Sequence, residues 1–147
     1  MPQLTSSHVL IAERRVKKFD LSKVKKNLEH KGWDRERIKA AEALYRKFLV
    51  VIALSDEGHR VVPPTEDVFT FWRAHHEQWM DYYEAFSHAG IRLVNPPLRR
   101  KPLIFRMGYE RNLRETHALW RLAFNEEPPC EECEMPHAAL VASAEQE

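Results

Sequence analysis

Glycine is scarce in this chain of 147 residues, with four in all, and cysteine scarcer, with two. Neither a G-x-x-x-x-G-K-[ST] phosphate loop nor a G-x-S-x-G nucleophile elbow occurs, so phosphate-loop and serine-hydrolase chemistry have no support. Two cysteines, Cys130 and Cys133, are too few for the disulfide framework of a small secreted domain. No apolar run approaches the ~20 residues needed to cross a bilayer, and the opening MPQLTSSHVLIAERRV lacks the basic start and long apolar centre of a signal peptide. The expectation is a cytoplasmic protein with no membrane partner. Basic residues are missing beyond Arg121, where seven of the 22 acidic residues lie; that leaves 15 acids against 23 bases in the body, a formal charge of +8. A basic body with an acidic tail keeps nucleic acid among the conceivable partners without favouring it, because a nucleic-acid footprint needs the charge clustered on one face.

What is present is helical punctuation. In DLSKVKKNLEHKG, Leu21, Val24 and Leu28 recur at steps of three and four, and Gly32 follows as a stop. In WDRERIKAAEALYRKFLVVIAL, Asp34 is placed to cap a helix with Ile38, Ala41, Tyr45, Phe48/Leu49 and Ile52 along one face. A third helix is predicted from Thr65, with Glu66 and Asp67 in its first turn and Val68, Trp72, His75, Trp79, Tyr82 and Phe86 on a single inward stripe. The paired prolines of IRLVNPPLRRKP make a crossover, after which Pro102 opens a last long helix. That helix turns Phe105, Tyr109, Leu113, Thr116/His117, Trp120 and Phe124 inward and ends before Pro128. Residues 1–19 read as an arm or a short helix, with the helix preferred. The fold class is all-α: a single bundle of four or five helices over residues 20–127, packed around Trp72, Trp79, Trp120, Tyr45 and Phe48, with residues 128–147 as an acidic, solvated tail.

Three sets of residues carry candidate chemistry. His75, His76 and Asp81, with Glu77 nearby and His117 on the last helix, are metal-ligand or acid/base types within about two helical turns. The stripe sets His75 inward and rotates His76 by ~100°, so a core histidine with a lowered pKa is the competing reading. Cys130, Cys133 and His137 have the spacing C-x-x-C-x-x-x-H, which supplies three ligands of the kind zinc prefers and lacks a fourth. Arg99, Arg100 and Lys101 stand beside the start of the last helix, a place suited to anions, within a basic stretch from residue 92 to 121 that would also suit nucleic acid or an acidic partner.

The succession YRKFLVVIAL, VPPTEDVFTFWRAHHEQWMDYY and GIRLVNPP resembles the glycine-rich-domain-containing-protein-like family, a helical module of bacteria and plants, over roughly residues 35–127. Val62-Pro63 opens the family's segment, Trp72 takes its tryptophan place, His75 its second histidine and Tyr82 its tyrosine; Gly90, Leu93 and Pro96 close it. Phe69, Arg73 and Asn95 stand where the family tends to carry aspartate, its first histidine and a later histidine. The resemblance implies a helical fold and, with one histidine of the pair replaced, no metal centre there. Together these observations point to a non-catalytic binding or regulatory module with a protein partner and no cofactor. A metal-dependent enzyme or metal-binding protein using the His75/His76 region is the alternative, with zinc as the metal to be considered; nucleic-acid or anion binding through the basic stretch 92–121 is a second.

Overall fold

Capping side chains and left-handed residues set where the helices begin and end. The computed structural model describes residues 5–101 and 106–130, and these hold six α-helices and no strand. Thr5 caps α1 (Ser6–Lys17), and the His8 ring returns a bond to the Thr5 backbone N–H, closing a reciprocal capping box. After α2 (Ser22–His30), the chain turns through Gly32 at φ 97°. Asp34 caps α3 (Arg35–Leu54) by accepting from the Arg37 N–H at 2.8 Å. A single 3-10 turn, Gly58–Arg60, leads to α4 (Glu66–Glu77), capped by Thr65. α5 (Trp79–Ala89) stops at Gly90, whose φ of 70° needs glycine's freedom, and the Ile91 N–H closes the end onto the Phe86 carbonyl. The crossover then leads to α6 (Arg106–Phe124), which ends where Asn125 turns left-handed at φ 51°. The predicted role of Pro102 and the inward position of Phe105 lie outside the described residues.

α3 is the centre of the bundle, packing against α1, α2, α4 and α6. That explains why Phe48, Leu49, Val50, Val51 and Ile52 are all buried in succession. A run that is apolar on every side reads ambiguously as strand or helix in sequence, and a helix enclosed by neighbours on several sides is the case in which such a run stays helical. α1 contributes Ala12 and Val16 to the core. Arg46 of α3 holds the end of α1, donating to the Val16 and Phe19 carbonyls at 3.1 Å each while paired with Glu42. Trp72, Trp120, Tyr45, Tyr82, Phe48, Phe71 and Phe86 are the largest fully enclosed side chains. Burying a side chain of this size contributes roughly 1.5–3 kcal/mol, so these aromatics are a large part of the core's stabilisation, beside the buried aliphatic residues of α2 and α3. No helix among the described residues is long and apolar enough to cross a membrane.

One expectation fails. The helix predicted from Thr65 to Phe86 is two helices, broken at Gln78, whose φ of −92° and ψ of 61° leave the helical region. The break resets the phase of the apolar stripe. Tyr82 and Phe86 still turn inward, but Trp79 is 61 % exposed and is not part of the core.

Candidate functional site

The aromatic-histidine segment brings Trp72 and His75 of α4 against Tyr82 of α5 and Tyr45 of α3. Each of these polar aromatics must satisfy a buried donor or acceptor, and they do so largely with one another. The Tyr45 hydroxyl and His75 Nδ1 share a hydrogen bond of 2.7 Å. Trp72 Nε1–H donates to the Tyr82 hydroxyl at 2.8 Å, and that hydroxyl donates onward to the Val94 carbonyl in the crossover. His75 meets Phe19, Tyr45 and Tyr82 edge-on, with ring centroids at 5.8, 5.7 and 4.8 Å. Burial lowers its pKa to about 4, a shift opposed in part by the Asp81 carboxylate. Burial likewise pushes both tyrosine hydroxyls up. The result is two neutral hydrogen-bonded links, Tyr45–His75 between α3 and α4 and Trp72–Tyr82–Val94 between α4, α5 and the crossover, meeting through the His75 and Tyr82 rings, with an imidazole that is 2 % exposed.

His75, His76 and Asp81 therefore do not come together as a ligand set. His75 spends its Nδ1 on Tyr45; His76 is half-buried against the Tyr82 ring at 5.2 Å; Asp81 is exposed and paired with Lys23 of α2 at 3.1 Å. Glu77 is taken in the same way by Lys31 at 3.5 Å. Among the described residues, no group of three or more His, Cys, Asp or Glu is placed to hold a metal ion. In the tail set, Cys130 is buried and disulfide-bonded, so its sulfur is no thiolate ligand, while Cys133 and His137 lie outside the described residues.

The basic trio is divided. Arg100 is buried, with its guanidinium on the Glu66 carboxylate at 3.2 Å and the Pro63 carbonyl at 3.3 Å. It ties the crossover to the start of α4 and does not converge with exposed Arg99 and Lys101 on an anion. Further along the basic stretch, Arg121 is held by Glu127 through two bonds of 3.0 Å. The spacing of basic residues in sequence could not show this, because Glu66 and Pro63 belong to another segment.

The opposite side of α5 carries what a contact surface needs. Trp79, Met80 and Tyr83 are 61, 60 and 53 % exposed and adjacent on the helix surface. Glu77 and Asp81, which bracket Trp79 and Met80 in sequence, are ion-paired with the α2 lysines. Sequence reading missed this patch because it extended a single helical period through Gln78.

A second feature escaped it altogether: a cleft of about 410 Å³ between the end of α3, the loop that follows, and α6. Its lining is mainly apolar, and its residues come from positions 54–61 and 112–122. No single segment carries that pattern. No protein-family model, curated protein or solved structure matches this chain.

Proposed function

We propose that this protein is a non-catalytic helical binding module whose contact surface for a partner protein is the outer face of α5. The observation that carries the reading is the cluster of Trp79, Met80 and Tyr83 in solvent, since large aromatic and methionine side chains grouped on a surface are the side chains that anchor protein interfaces. The inner face of the same segment supports it from the other side. Trp72, His75 and Tyr82, the residues that carry the resemblance to the glycine-rich-domain-containing-protein-like family, are occupied with one another and with Tyr45 and Val94, which makes them scaffold in this reading. The partner presents a complementary apolar surface, and the paired charges of Glu77 and Asp81 form the polar rim.

The test compares the wild-type chain with a Trp79→Ala/Tyr83→Ala variant, after circular dichroism and urea denaturation have shown both to be folded. Each is cross-linked in the native cell extract, and the attached proteins are identified. The reading expects a protein joined to the wild type through α5 and lost from the variant. An identical set of cross-links from both overturns it. Metal analysis of the untagged protein distinguishes the metal-binding alternative, which requires a stoichiometric ion retained through dialysis.

A further inference from the structure

We infer that the α3–α6 cleft is a binding site for a small amphiphilic amine, an apolar body carrying a protonated nitrogen. The site is separate from the α5 face. Its apolar lining includes Leu54, Val61, Leu119 and Leu122, of which Leu122 is 68 % exposed. At about 410 Å³ the space is in the range of roughly 300–1,000 Å³ that holds small organic ligands. The back of the cleft is fixed by one hydroxyl. Thr116 Oγ1 donates to the Asn112 carbonyl at 2.7 Å and accepts the Val62 N–H at 3.0 Å, which fastens the chain after the 3-10 turn onto α6.

Two features in this apolar setting point to the ligand's chemistry. Asn112 lines the cleft, and its Oδ1 is enclosed with no hydrogen-bond donor among the described residues, so a turn of this side chain toward the cleft is what brings the oxygen to a ligand N–H. A buried amide oxygen without a donor costs free energy unless something supplies an N–H. The rim is net acidic, with Asp56, Glu57 and Glu115 against Arg60, while Arg92 donates to the Asp56 backbone carbonyl at 3.4 Å. Glu57 is matched by Arg60 at 2.8 Å, but Asp56 and Glu115, both exposed and both lining the cleft, have no cationic partner among the described residues. An apolar lining and two unmatched carboxylates, with the Asn112 amide oxygen within reach once its side chain turns, together select an ammonium or similar N–H cation on a hydrophobic body; a carboxylate-bearing ligand of the same shape would be repelled.

Tryptamine, tryptophol and indole-3-propionate share one ring system and differ in the charge of the side arm, which makes them suitable probes. Each is titrated into the ¹⁵N-labelled full chain at low salt while the backbone amides are followed. Tryptamine is expected to shift the amides of residues 54–61 and 112–122 saturably, about tenfold more tightly than tryptophol, with indole-3-propionate weakest. Asp56→Asn/Glu115→Gln changes only exposed side chains and should bring tryptamine down to the level of tryptophol. Asn112→Ala should weaken tryptamine several-fold while leaving the melting temperature unchanged or raised, the opposite of what loss of a structural side chain would do. Equal affinity for the three indoles, saturation at other amides, or no saturable shift at millimolar concentration overturns the proposal. So does a lysine-rich amphipathic peptide that fills the cleft more tightly than any of the indoles, since the occupant would then be a peptide. Because the amides of α5 report separately, failure here is distinguishable from failure of the α5 reading.

Discussion

Trp72 and Trp79 stand seven residues apart, a spacing that places two side chains on one side of an unbroken helix, yet one is 1 % exposed and the other 61 %. Gln78 makes the difference. By leaving the helical region it ends α4 one residue before Trp79, and α5 restarts with a new phase. Trp72 then has its indole N–H on Tyr82 and its ring against Phe48, with centroids 4.9 Å apart, whereas Trp79 has neither a ring contact nor a bonded N–H among the described residues. One aromatic segment thus serves two purposes: its first half and its Tyr82 and Phe86 build the core, and the first turn of α5 is left to the solvent.

The sharpest way to break this comparison is to truncate Trp72. Trp72→Ala removes a fully enclosed indole and strips the Tyr82 hydroxyl of its donor, so a loss of about 3–5 kcal/mol is expected, a large fraction of the stability of a domain this size. Urea denaturation measures it. A midpoint close to that of the wild type would mean that the α3–α4 packing is not what holds the fold.

The pH dependence comes next in size. The His75 pKa is lowered from 6.5 to about 4 in the folded chain, with burial as the cause, the Asp81 carboxylate opposing it and the Arg46 and His76 charges adding to it. Between these two values the unfolded chain binds a proton that the folded chain refuses, so stability is full above pH 6.5 and falls as the pH drops toward 4. The change across that window is on the order of 3 kcal/mol. His75→Gln should flatten this part of the stability–pH curve and His76→Gln should leave it. A curve of wild-type slope in His75→Gln would place the acid sensitivity elsewhere.

The helices that were legible in the sequence are those whose signals are local. Asp34 and Thr65 cap where their side chains predict, Gly32 turns the chain after α2, and Trp120 lies inward on α6 as its spacing requires. All-α architecture follows from these alone. The break at Gln78 has no such mark, since neither glycine nor proline is present there. The site residues were legible only in part, for the same reason. His75 could be set inward by periodicity, but that Tyr45 would take its Nδ1, that Glu66 would take Arg100, or that positions 54–61 would face 112–122 depends on contacts between segments far apart in the chain.

A smaller perturbation examines the link that joins the two halves of the segment. Tyr82→Phe keeps the ring and its packing but deletes the hydroxyl that accepts from Trp72 and donates to the Val94 carbonyl. Both partners remain buried, so a cost of about 1–3 kcal/mol is expected, read from the urea midpoint with an unchanged slope. If the variant is as stable as the wild type, the link is packing alone and its hydrogen bonds contribute nothing net.

The smallest effect is the most informative about the outer face. Trp79→Ala removes a side chain that is 61 % exposed and has no ring contact or hydrogen bond among the described residues, so its stability should stay within about 0.5 kcal/mol of the wild type. Its tryptophan fluorescence should lose a solvent-exposed, red-shifted component, readily quenched by iodide, and keep the emission of buried Trp33, Trp72 and Trp120. A loss comparable to that of Trp72→Ala would mean that the helix runs on through Gln78 and that Trp79 lies in the core after all. A neutral substitution leaves Trp79 with no part in holding the fold, which makes it a clean probe of binding: any effect of its loss on association then belongs to the contact surface and not to the scaffold beneath it.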